Sequence, residues 1–139
     1  MLQALELISN NLVIKIISIT IIFDTIFGCI RAIGAKTLNS SFGINGILRK
    51  AGILVACTMF FFIDEVLKIN LLPFVNQDMF KYLGTSSVGI TEFFGALFIC
   101  FECLSILHNI YMIGLPLPKN VVSYMENWLK EHSDIKPKK

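Results

Sequence analysis

The chain has 139 residues, 55% of them hydrophobic and only 16% charged, with a formal net charge of +2 and a mean hydropathy of +0.71. A soluble domain of this length cannot bury so much apolar surface and would expose large adhesive patches, so a water-soluble globule is excluded. A lipid environment is implied, and the length limits the chain to one membrane domain.

Taken in chain order, residues Met1 to Asn10 lack a basic leader and carry Glu6. The first apolar segment is therefore expected to stay in the mature protein. Three stretches approach the roughly 20 apolar residues that a bilayer core demands. They run from about Leu12 to Ile33, Ala51 to Leu67 and Ile90 to Ile113. None alternates polar with apolar residues as barrel strands do. Only helices or closed barrels satisfy the backbone in lipid, so the reading is helical.

Between the first two spans, Asn39-Ser-Ser-Phe-Gly-Ile-Asn-Gly46 is rich in turn residues. Ile47-Leu48-Arg49-Lys50 reads as a basic lead-in to span two. The second connection, Lys68 to Gly89, is unusually apolar and reads as a short helix lying on the membrane. After span three, Gly114-Leu-Pro-Leu-Pro-Lys119 stops the helix, and Pro116 and Pro118 stiffen the exit. Val122, Met125 and Trp128-Leu129 then recur at helical spacing, as in an amphipathic interfacial helix. The last residues, Ser133 to Lys139, are expected to be disordered and basic. The expected fold is thus an oligomeric, all-α integral membrane protein. It has three transmembrane helices and short interfacial amphipathic helices. Residues 1–119 form the membrane domain, and residues 120–139 form an amphipathic, basic cytoplasmic tail.

Basic residues set the orientation. The first connection and its flanks hold Arg31, Lys36, Arg49 and Lys50, and the tail holds Lys119, Lys130, Lys136, Lys138 and Lys139. The second connection holds only Lys68 and Lys81. Three spans place the first connection and the tail on one side, and both are the basic ones. The N-terminus is therefore expected outside and the C-terminus in the cytoplasm.

Two acids, Asp24 and Glu102, fall at mid-membrane depth, where a charge costs about 2.5–3.5 kcal/mol on insertion scales. Asp24 and Arg31 are separated by about 10 Å along a helix, and the other bases cluster near the span ends. No base is therefore expected level with the two acids. Either the acids are protonated, or they line a wet lumen between copies. The plainer alternative is that they are neutral groups that hydrogen-bond one helix to the next. Thr20, Asp24, Gly28 and Arg31 share one side of span one. Glu92, Gly95, Ile99, Glu102, Ile106 and Asn109 share one side of span three. Gly52 and Ala56 form a small-xxx-small pair in span two. Such faces suit association between helices, and Asp24, Gly28, Glu92, Gly95 and Glu102 are the candidates for assembly or pore lining. The bland reading is packing within one three-helix bundle. Three helices enclose no channel, so a pore would need several subunits.

No catalytic constellation emerges, and no enzyme activity, metal, cofactor or nucleic-acid partner is expected. Cys29, Cys57, Cys100 and Cys103 all lie in apolar segments and read as reduced, buried small residues. Cys100-x-x-Cys103 lacks a thioredoxin-like context. His108 and His132 form no metal-ligand spacing with the cysteines.

Four strings say more than composition does. Asp24-Thr-Ile-Phe-Gly28, Asn39 to Lys50, Glu102-Cys-Leu-Ser-Ile-Leu-His-Asn109 and Gly114 to Lys119, in this order and spacing, resemble the phage-lysis and toxin-secretion holin family of Gram-positive bacteria. The likeness is greatest to the clostridial branch encoded beside large glucosylating toxins, and it covers about Asp24 to Lys119. His108 departs from the pattern, since many members carry Glu there. The resemblance implies a homo-oligomer in the cytoplasmic membrane that opens lesions for folded cargo, either a large toxin or a wall hydrolase, without a specific cargo site. It implies assembly roles for Asp24, Gly28 and Glu102. It also implies a cytoplasmic turn and anchor at Gly43, Gly46, Arg49 and Lys50, and an exit angle set by Pro116 and Pro118. The competing readings are a small ion channel or proton-coupled transporter using the mid-membrane acids, and a non-conducting scaffold subunit.

Overall fold

The structure, a computed structural model, describes residues 6, 8–37, 40–74 and 88–132. Helix α1 spans Leu12–Gly34, α2 Ser40–Leu67, α3 Ile90–Ile113 and α4 Lys119–His132; a single 3₁₀ turn covers Leu72–Phe74. There is no strand among the described residues. Three of the helices, over Leu12–Gly34, Gly43–Leu67 and Ile90–Ile113, are long and apolar enough to cross a membrane.

Each end has a local cause. Asn11 caps α1, its side-chain oxygen accepting from the Ile14 amide at 3.0 Å. The helix closes with Lys36 at φ 53°. There the Lys36 amide donates to Ile33 O and the Thr37 amide to Ala32 O, the paired bonds that tie off a helix C-terminus. Gly114, at φ 87°, ends α3 in the same way: its amide donates to Tyr111 O and that of Leu115 to Ile110 O. A glycine there avoids the Cβ clash of the left-handed region. Pro118 O then accepts from the Val121 and Val122 amides as α4 begins. The two prolines thus lie at the α3–α4 junction.

Helix α2 departs from expectation. It begins at Ser40 instead of Ala51, so Gly43 and Gly46 are helical and do not shape a turn. Glycine weakens a helix in water, but membrane helices tolerate it readily. The apolar Ile44, Ile47 and Leu48 around it favour lipid over a solvated loop.

Helix α1 packs chiefly against α3, and α2 leans on both. A small apolar centre holds Ile17, Ile21 and Cys57, with Ile53, Leu54, Phe98 and Ile99 around it. Phe60 and Phe94 stack at 5.0 Å between α2 and α3. A Cβ on Gly95 would run into Val13 Cγ1, so this glycine marks the closest approach of α1 and α3. Gly52, in contrast, has nothing within 4 Å of a would-be Cβ, and the Gly52/Ala56 pair makes no close approach within the protomer. Of the cysteines only Cys57 is buried; Cys29, Cys100 and Cys103 face outward, contrary to the expectation that all four are buried. Ile22, Phe23, Val55, Val66 and Phe101 also face outward, as side chains do when the solvent is lipid.

Helix α4 folds back onto α3. Its Met125 is buried, and the Trp128 ring lies 5.8 Å from that of His108. Of the expected membrane-surface helix between Lys68 and Gly89, residues 75–87 lie outside the described residues, as does the expected disorder of residues 133–139.

Candidate functional site

The polar stripes turn inward. The buried residues of α1 are Ile14, Ile17, Ile21 and Asp24, at steps of three and four that put them on one face. Those of α3 are Thr91, Gly95, Glu102 and Asn109, again a single face. Where the two faces meet, Asp24 and Glu102 sit at the middle of their helices.

The expectation that no base lies level with these acids is overturned. Lys50 Nζ lies 2.8 Å from Asp24 Oδ2 and 3.8 Å from Glu102 Oε2. It also donates to Thr25 Oγ1 at 2.8 Å and Ile21 O at 3.3 Å. Two things had hidden it. The second span begins earlier than expected, so Lys50 lies seven residues past Gly43, roughly 10 Å into the helix. The long lysine stem then carries its charge further along the bundle than its Cα suggests.

The rest of the cluster completes the donors and acceptors. Asn109 Nδ2 donates to Asp24 Oδ1 at 2.8 Å, so both Asp24 oxygens are engaged from other helices. Thr25 donates to Ile21 O in its own helix at 2.7 Å, which leaves its oxygen free to accept from Lys50. Gly28 lies beneath Asn109, whose Nδ2 would be 3.7 Å from an added Cβ. Lys50, Asp24 and Glu102 side chains are 11%, 4% and 3% exposed. The exception to satisfaction is Glu102 Oε2, which is buried without a hydrogen-bond partner among the described residues.

At the far end of the bundle a second polar device joins α2 to α3. Asp64 accepts from the amides of Ile90 (2.9 Å) and Thr91 (2.7 Å) and from the Thr91 hydroxyl (2.6 Å). It caps the α3 N-terminus from another helix. Glu92 takes the Gly89 amide at 2.8 Å. Asn70 receives the Leu72 and Val88 amides at 3.0 and 3.3 Å. A side chain on Gly89 would strike the Asp64 carboxylate, 2.5 Å from a built Cβ. Asp64 did not stand out in the sequence. The available signal was the glycine at the cap position, Gly89, which has no side-chain oxygen of its own to cap the helix.

Of the other sequence candidates, Gly95 lies in the α1–α3 contact and Glu92 at the α3 start. Gly43 and Arg49 are exposed on α2, and Gly46 is half-buried. Among the described residues no group of three or more His, Cys, Asp or Glu could hold a metal ion.

These features define a small multi-pass helical membrane protein whose mid-depth charges are gathered inside the protomer. The chain belongs to the bacteriophage holin family, whose model matches residues 6–130. It is 41% identical over 120 residues to the holin-like protein TcdE of Clostridioides difficile, an alignment covering 86% of this chain and 72% of that one. No solved structure matches it.

Proposed function

We propose that the chain oligomerises in the bacterial cytoplasmic membrane and opens a lesion that lets folded proteins, a large toxin or a wall hydrolase, leave the cell. The observation that carries this reading is the similarity, over most of the chain, to a relative described as holin-like. The protomer adds a constraint. Its polar groups face one another and its outer surface is apolar, so a path for protein has to form between copies. Lipid surrounds the protomers, and the released cargo needs no dedicated binding site. The N-terminus is outside and the C-terminus cytoplasmic. Arg31 and Lys36 at the α1–α2 connection and Lys119 and Lys130 in α4 support this orientation.

A second reading, a narrow ion or proton pathway, draws on the buried Lys50, Asp24 and Glu102, since ionisable groups inside a membrane mark ion routes. Expression of the chain alone in a bacterium carrying a cytosolic reporter enzyme and a leaderless wall hydrolase separates the two. Abrupt depolarisation with hydrolase-dependent lysis and reporter release is the expected result. Depolarisation without protein passage favours the narrow pathway, and insertion without any leak contradicts both.

A further inference from the structure

We propose that the Lys50–Asp24–Glu102 cluster is a proton-binding site that holds one proton per protomer, shared by its two carboxyl groups. Two carboxylates face one ammonium. Fully ionised, they leave one uncompensated negative charge in a side-chain environment at most 11% exposed, where hydration cannot offset it. Lys50 is already committed: its ammonium bonds Asp24, Thr25 and the Ile21 carbonyl. Its 3.8 Å separation from Glu102 Oε2 is too long for a hydrogen bond. That oxygen has no other partner among the described residues. An ionised carboxylate is an acceptor only, whereas a protonated one becomes a donor. Both carboxylates lie within 4 Å of the same Lys50 nitrogen, so the added proton turns one of two acceptors at that nitrogen into a donor.

The proton comes from water and forms one O–H bond on a carboxylate; no other bond changes. The remaining polar groups at the cluster are neutral: Thr25 from α1 and Asn109 from α3. The other charged or titratable groups in electrostatic range are Arg49 of α2, near Glu102, and His108 of α3, near both Asp24 and Arg31 of α1. Arg49 is on the outward side of α2 and Arg31 is in the last turn of its helix, and among the described residues the cation within ion-pairing distance of Asp24 and Glu102 is Lys50.

The test is a proton count by infrared spectroscopy on the full chain in lipid vesicles at neutral pH. The carbonyl stretch of a protonated carboxyl group is distinct from the bands of a carboxylate. The expected result is one protonated carboxyl group in the wild type, none in Glu102→Gln, none in Asp24→Asn and two in Lys50→Met. The two amide variants keep side-chain shape and hydrogen bonding, so they decide the matter even where Lys50→Met fails to insert. A wild type with no protonated carboxyl group, or a signal that survives in either amide variant, overturns the proposal.

Discussion

The Lys50 ammonium and the Asp24 carboxylate meet at 2.8 Å across two helices with few other contacts between them. The pair therefore holds α2 to α1 where apolar packing is sparse. Removing one partner of a buried ion pair strands the other and typically costs about 3–5 kcal/mol. Lys50→Met is expected to lose stability of that order. The Lys50→Met/Asp24→Asn double variant is expected to lose less than the sum of the single losses, since coupled neighbours are non-additive by about 0.5–3 kcal/mol. Unfolding of the detergent-solubilised protein in rising dodecyl sulfate, followed by the fluorescence of its single tryptophan, measures both. Strict additivity would mean that the pair does not bind the helices together.

Asp64 is expected to hold the start of α3. Asp64→Ala removes the acceptor of two backbone amides and the Thr91 hydroxyl. Cap losses of this kind cost about 1–2 kcal/mol. Amide hydrogen exchange at Ile90 and Thr91 is expected to speed up, while exchange at the middle of α3 stays slow. Gly89→Ala should act on the same amides by pushing the carboxylate away. Unchanged exchange in both variants would remove Asp64 from this role.

Helices α1 and α3 were legible in the sequence because their signals are local. Each is a predominantly apolar run of helix length, with a capping Asn11 before the first and a stopping Gly114 after the second. The start of α2 was not, because Gly43, Gly46, Arg49 and Lys50 together look like a polar turn. What makes them helical is not local: Lys50 is tolerated inside a span because Asp24 and Glu102 on other helices receive it. The two acids were identified as unusual, and of the stripe expected on α3, Gly95, Glu102 and Asn109 are buried while Glu92, Ile99 and Ile106 are half-buried. Their partner was missed because depth was judged from the backbone and not from where a lysine side chain ends. Asp64 was missed for a related reason, since the helix it caps begins 26 residues further along the chain.

Gly95 offers a steric test of the α1–α3 contact. Gly95→Ala is expected to destabilise by about 1–3 kcal/mol, the usual range for overpacking, because the new methyl group runs into Val13. Val13→Ala in the same chain is expected to restore most of the loss. Dodecyl sulfate unfolding of the two single variants and the double variant reads this directly. A Gly95→Ala chain as stable as the wild type would mean that the helices are further apart.

Thiol reactivity reports on which faces look outward. In mild detergent, a small apolar maleimide is expected to label Cys29, Cys100 and Cys103 first and Cys57 last, since Cys57 alone is buried. Mass spectrometry of the digested protein gives the order. Early labelling of Cys57 would show that α2 does not cover it.

The cluster draws one charged residue from each spanning helix, and this has a consequence for biosynthesis. As the chain leaves the ribosome, α1 arrives carrying an acid and α2 follows with the matching base. The first hairpin can therefore enter lipid with its mid-depth acid already paired to a base. Helix α3 comes last and brings a second acid with no base left to neutralise it. The third segment thus depends on the first two for the only cation within ion-pairing distance of its acid among the described residues.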